Sequence, residues 1–199
     1  GRLEEAETIG RLAITLQFNY AEAHISLGAT LQQLGKLEEA EETFRQAITL
    51  NPSLAKAHNN LGITLQQLGR LEESEISCRH AIVLKPGYAE AHNNLGATLL
   101  KLGKLEESEA SCKQAISLKP TFAEAHYNLG VILQDLSRFE EAEASCEQAI
   151  SLQPDYADAK FQRSLLLLNR QEFRLGWSSY APPRSSKFER SQDYFTERA

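Results

Sequence analysis

The 199-residue chain is 42% hydrophobic and 24% charged, the balance of an ordinary folded protein. It has no apolar run near the about 18 residues that span a bilayer, and its start, GRLEEAETIG, lacks the basic and apolar regions of a secretory signal. A net charge of −6 argues against nucleic-acid binding, and an odd count of three cysteines argues against a disulfide framework, so a cytoplasmic, reducing location is expected.

Residues 1–20 read as the second half of a repeating unit, because GRLEEAE returns as GKLEEAE at 35–41. Full 34-residue units follow at 21–54, 55–88, 89–122 and 123–156. Leu27, Leu61, Leu95 and Leu129 fall in register, each followed by glycine (Gly28, Gly62, Gly96, Gly130). A second glycine comes seven residues later at Gly35, Gly69 and Gly103, with Ser137 in the last unit. Ala47, Ala81, Ala115 and Ala149 recur, as do Pro52, Pro86, Pro120 and Pro154. Residues 157–181 read as a degenerate fifth unit that Trp177 and Tyr180 close, and 182–199, after Pro182-Pro183, as a polar tail or linker.

Each unit predicts two helices. The first runs from the AEAH-like segment to the second glycine, which tolerates the positive φ of a helix C-terminus. The second starts at LEE, whose acids suit a helix N-terminus, and stops at the proline. A helix–turn–helix with Leu-Gly, Ala, Ala and Pro in this order resembles the tetratricopeptide repeat (TPR) family over about 1–181. The resemblance implies an all-α fold, a right-handed superhelix of antiparallel helix pairs. Two departures stand out: His24, His58, His92 and His126 take a position often aromatic, and Phe44 gives way to Cys78, Cys112 and Cys146.

At 100° per residue, His92, Leu95, Gly96 and Leu99 share the packing face of the third unit's first helix. The opposite face collects Asn93, Asn94, Ala97 and Lys101, and in neighbouring units Asn59, Asn60, Ile63, Gln67, Tyr127, Asn128 and Val131. This face is amide-rich and partly apolar, whereas the second helix shows solvent a dense charge such as Glu38, Glu39, Glu42 and Arg45. Stacked helix pairs bind ligands on their concave side, and the resemblance puts the first helices there. Asn60, Asn94 and Asn128 then form a ladder whose amides suit the backbone of an extended peptide. Ser26 and Gln162 extend it in part, with Ile63, Tyr127, Val131 and Phe161 as selective neighbours. Mostly acidic residues at the second position (Glu22, Glu90, Glu124, Asp158) favour neutral or basic ligands. The NLG ladder is similar to that of the TPR arm of O-linked N-acetylglucosamine transferases, which implies a substrate-presenting arm as the alternative. A structural role also stays open, in which the asparagines bond only to the adjacent repeat or to water.

Chemistry is not expected. Residues one repeat apart lie about 10 Å from each other, too far for a histidine column to gather one metal or a cysteine column to form disulfides. The cysteines are expected as buried thiols, and no phosphate loop, nucleophile elbow or zinc signature occurs. The Lys/Asn carboxylate clamp of chaperone-binding TPR domains is also missing. The chain is therefore expected to be a non-catalytic protein- or peptide-binding scaffold that uses no cofactor. The apolar edge of Ile9, Leu12 and Leu16, with no preceding repeat, invites self-association or marks a fragment. In the tail, Phe188, Tyr194 and Phe195 are candidates to dock in a TPR groove.

Overall fold

The computed structural model describes residues 1–16 and 20–169. Among them the chain is helical without strands. A lone helix, α1 (Arg2–Leu16), precedes four helix pairs. These are α2 (Ala21–Gln33) with α3 (Leu37–Leu50), α4 (Ala55–Gln67) with α5 (Leu71–Leu84), α6 (Ala89–Lys101) with α7 (Leu105–Leu118), and α8 (Ala123–Asp135) with α9 (Phe139–Leu152). A last helix, α10 (Ala157–Asn169), begins a further unit. Trp177, Tyr180, Phe188, Tyr194 and Phe195 lie outside the described residues.

The local signals act as elementary chemistry dictates. Gly35, Gly69 and Gly103 hold φ near +75° (75, 77 and 73°), and the next residue's N–H reaches back to the last turn, as Lys36 does to the Leu31 carbonyl. Ser137 takes the same left-handed conformation at φ 60° without glycine's freedom. Glutamates fill the first turn of every second helix.

Packing repeats with the sequence. Leu61, Leu65, Leu95 and Leu99 are buried, as are Ala47, Ala81, Ala115 and Ala149. The helical glycines permit close approach within each pair: a methyl on Gly96 would stand 2.5 Å from the Cys112 Sγ, and one on Gly28 2.7 Å from the Phe44 ring. The cysteines thus fill the seat that Phe44 fills in the first pair. Each first helix also touches the first helix of the next pair, while among the described residues no second helix touches another at backbone range. The first helices therefore crowd the inside of the curve.

On the outer side, second helices reach one another through long charged side chains. Arg70 pairs with Glu41 at 2.7 Å, Lys104 with Glu75 at 2.8 Å, and Arg138 with Glu109 at 2.7 Å. Arg45 reaches Glu73 and Arg79 reaches Glu107 in the same way. Glu38, Glu39, Glu42 and Arg45 are exposed as the sequence implies, and Glu39 and Arg45 also join this inter-repeat lattice. Its basic members Lys36, Arg70, Lys104 and Arg138 stand at helix N-caps without capping, which shows what the position serves instead. Ile9, Leu12 and Leu16 of α1 are exposed at 66, 57 and 78%.

Candidate functional site

The non-core face of the first helices divides into two layers. Asn59 and Asn93 are buried at 3 and 1% exposure, whereas Asn60, Asn94 and Asn128 are half-buried. The layers are joined across repeats. The Asn94 Nδ2–H donates to Oδ1 of Asn59 at 2.9 Å, and the Asn128 Nδ2–H donates to Oδ1 of Asn93 at 2.9 Å. Asn93 passes the chain on, its Nδ2–H donating to Oε1 of Glu124 at 3.1 Å.

The chain stops where the sequence changes. Ile25, buried at 4%, stands where the unit before Asn60 would need an amide. The Asn60 Nδ2 therefore has no protein partner among the described residues, and its Oδ1 accepts a long 3.4 Å bond from Asn59. Asn94 and Asn128 each keep one N–H and an Oδ1 without a protein partner among the described residues. At the far end Tyr127 replaces the inner asparagine and packs its ring 5.2 Å from that of Tyr156. Burial, then the nearby Asp158, holds the Tyr127 phenol above its usual range, so it stays neutral. Ser26 bonds back to the Glu22 carbonyl, and the Gln162 Nε2–H donates to Oε1 of Gln134.

The remaining candidates take varied places. Ile63 and Val131 are half-buried beside the asparagines, and Phe161 is 49% exposed. Gln67 is exposed and accepts a 3.0 Å bond from Gln32, while exposed Lys101 donates to Gln66 at 3.1 Å. These last two tie neighbouring first helices together.

The histidine column is occupied otherwise. Nε2 of His58, His92 and His126 lies 3.0, 3.0 and 3.1 Å from the carbonyl of Pro52, Pro86 and Pro120, which pins each inter-unit turn to the next helix. Among the described residues no three His, Cys, Asp or Glu side chains converge as metal ligands would. Cys78, Cys112 and Cys146 are free, fully buried thiols that burial pushes up to about 12. Sequence reasoning missed a cleft of about 430 Å³ between α3, α4 and α5, lined in part by Ile48, His58, Leu61, Ile76 and His80. The signal was present, since other second helices carry Glu42 and Gln46, or Ala110 and Gln114, at the places of Ile76 and His80.

Comparison with known proteins agrees with this geometry. Tetratricopeptide repeat models match 55–88, 89–122 and 123–156, and a TPR repeat model matches 31–69. The chain belongs to the tetratricopeptide repeat family. Among solved structures it is similar to a thermophilic TPR protein of Thermus thermophilus, at 26% identity and TM-score 0.72, over 84% of this chain and 92% of that one. It is also similar to PilF of Pseudomonas aeruginosa, at 24% identity and TM-score 0.74, over 80% of this chain and 73% of that one. A third is YrrB, a TPR protein with an unusual peptide-binding site, at 19% identity and TM-score 0.65, over 85% of this chain and 88% of that one. No curated protein matches the chain. The family models and structures matched here give no support to the expected likeness to O-linked N-acetylglucosamine transferases. A TPR solenoid is a scaffold for protein–protein contact, and no helix among the described residues is long and apolar enough to cross a membrane.

Proposed function

We propose that this TPR solenoid is a non-catalytic scaffold that grips an extended peptide along its first helices. Asn60, Asn94 and Asn128 hold the peptide backbone, and Asn59 and Asn93 support them from beneath. The observation that carries this is the pattern of amide groups unpaired among the described residues: both N–H of Asn60, and one N–H and the Oδ1 of Asn94 and of Asn128. Helix spacings of about 10 Å match about three residues of extended chain, so the ladder meets every third peptide unit. Ile63, Val131, Tyr127 and Phe161 supply apolar contacts beside it. Free thiols throughout suit a reducing compartment, the cytoplasm.

The test is peptide-array binding by wild type, by Asn60→Ala and by the triple variant Asn60→Ala/Asn94→Ala/Asn128→Ala, with circular dichroism to check folding. Asn60→Ala is the cleanest probe, because its side chain donates no bond to any of the described residues. Weaker binding in Asn60→Ala and loss in a folded triple variant support the proposal. Undiminished binding in both assigns the asparagines a purely structural role and overturns it.

A further inference from the structure

An aromatic residue opens α2, α6, α8 and α10, with Leu54 at α4, and in two successive repeats it has a lysine of its own chain. Lys85 Nζ stands 4.9 Å from the centre of the Tyr88 ring, and Lys119 Nζ 4.7 Å from that of Phe122. Lys119 also pairs with Glu90 at 3.0 Å, so its ammonium sits between an aromatic face and a carboxylate. One repeat further, the aromatic residue is Tyr156, the carboxylate is Glu124, and the place of Lys119 is taken by Gln153. Among the described residues no cation lies over Tyr156, and no ion pair reaches Glu124 or Asp158. The surroundings hold one more ring than in the filled case: Tyr127, where the filled case has Asn93, lies 5.2 Å from Tyr156, while the exposed Asp158 at the start of α10 matches Glu124 one repeat earlier. Glu124 is aimed by the buried Asn93, so this place is joined to the asparagine ladder.

We infer that Glu124, Tyr127, Tyr156 and Asp158 form a receptacle for a lysine or arginine side chain of the bound partner, which takes the place that Lys119 takes one repeat earlier. The inference rests on the peptide-binding reading for the partner's identity, but the receptacle is testable without a peptide. A neutral phenol face and a free carboxylate oxygen suit a cation, and the Asn93 bond leaves the second oxygen of Glu124 for it. An acidic segment is repelled, and an uncharged one gains nothing over water.

The first arm titrates the isotopically labelled full chain with N-acetyl-lysine methylamide, and with its norleucine counterpart, at low salt. Binding on the order of tens of millimolar is expected for the lysine compound. Resonances of Glu124, Tyr127 and Tyr156 should shift with it, and the norleucine compound should leave them still. Gln153→Lys restores the chain's own lysine and should weaken binding about three- to tenfold; Glu124→Gln, nearly isosteric, should do likewise. Equal shifts from the two compounds, or undiminished binding in folded Gln153→Lys, overturns the receptacle. The second arm scores the peptide array for lysine and arginine. Peptides lost in Asn60→Ala but indifferent to basic residues and to Gln153→Lys leave the groove standing and refute the receptacle. Lysine-compound binding that Gln153→Lys blocks, with no peptide binding at all, supports the receptacle and refutes the groove.

Discussion

Gly96 tests whether close helix approach, rather than helix propensity, fixes the glycine column. In an exposed helix, Gly→Ala gains about 1 kcal/mol. Here the new methyl would stand 2.5 Å from the Cys112 Sγ and 3.3 Å from the Ser108 carbonyl oxygen. Cys112 is fully buried, and Ser108 holds the Gly96 carbonyl through a 2.7 Å hydroxyl bond, so neither neighbour moves freely. Overpacking of this kind costs about 1–3 kcal/mol, and with a contact this short the upper end applies. Gly96→Ala should therefore destabilise by about 2 kcal/mol net of the propensity gain. Cys112→Ala alone removes one buried atom and leaves a small void, at about 1–2 kcal/mol. In the double variant the methyl added at Gly96 fills that void, so the combined cost should fall about 2 kcal/mol below the sum of the two. Urea unfolding followed by helical circular dichroism measures all four proteins, provided each shows one transition, since repeat arrays do not always unfold as a unit. Additive costs would refute the argument, as would a Gly96→Ala protein more stable than wild type.

Three further expectations follow from the same geometry. Ser137→Gly relieves a left-handed residue worth about 1–2 kcal/mol of strain, offset by glycine's added chain entropy, so thermal unfolding should show a net gain of about 0.5–1 kcal/mol; unchanged stability would contradict it. The three thiols, pushed up to about 12 and fully buried, should resist a water-soluble disulfide reagent at pH 8 until the chain unfolds, and rapid native labelling would refute their placement. His58 is held below its ordinary value chiefly by burial and further by His80, whose ring lies 5.5 Å away, while the Pro52 carbonyl opposes the shift. Its neutral form is thus favoured by folding. Stability should be complete above the unfolded value near 6.5 and fall as pH drops below it, until the folded value is passed. Denaturation midpoints across that window should flatten in His58→Gln, and an unchanged slope would count against this cause.

The fold was legible because the sequence repeats itself. Leu-Gly and the proline recur four times and the second glycine three times, with Ser137 at the fourth place, and together they fix helix, turn and stop. The site was legible only in part. A helical wheel shows Asn93 and Asn94 side by side on the non-core face, yet Asn93 is buried beneath the next repeat and Asn94 is not. The wheel knows one helix, whereas Asn93 is tied to Glu124 and Asn128 of α8, one repeat along. The same blindness hides the outer lattice: Arg70 and Glu41 are 29 residues apart, and nothing within one unit marks them as partners. The histidines were expected as packed side chains, but their bond to the proline carbonyl needs the turn geometry to be seen.

The two ends of the amide chain bear on how a partner is read. An evenly spaced column of backbone-binding amides cannot by itself choose a register, because a peptide that slips by about three residues finds the same donors again. Some element must break that symmetry. In this chain it is broken at both ends, by Ile25 before Asn60 and by Tyr127 after Asn93, where the inner asparagine is lost. On the proposed reading, the first break leaves the Asn60 Nδ2 without a partner among the described residues. The second replaces a supporting inner amide with the aromatic and acidic receptacle around Tyr156. Affinity then comes from the middle of the groove and register from its far end. A peptide whose basic residue is moved along the sequence should shift with it rather than lose affinity in proportion. Measured affinity that falls evenly with each step of displacement would argue against one receptacle and for a diffuse acidic attraction.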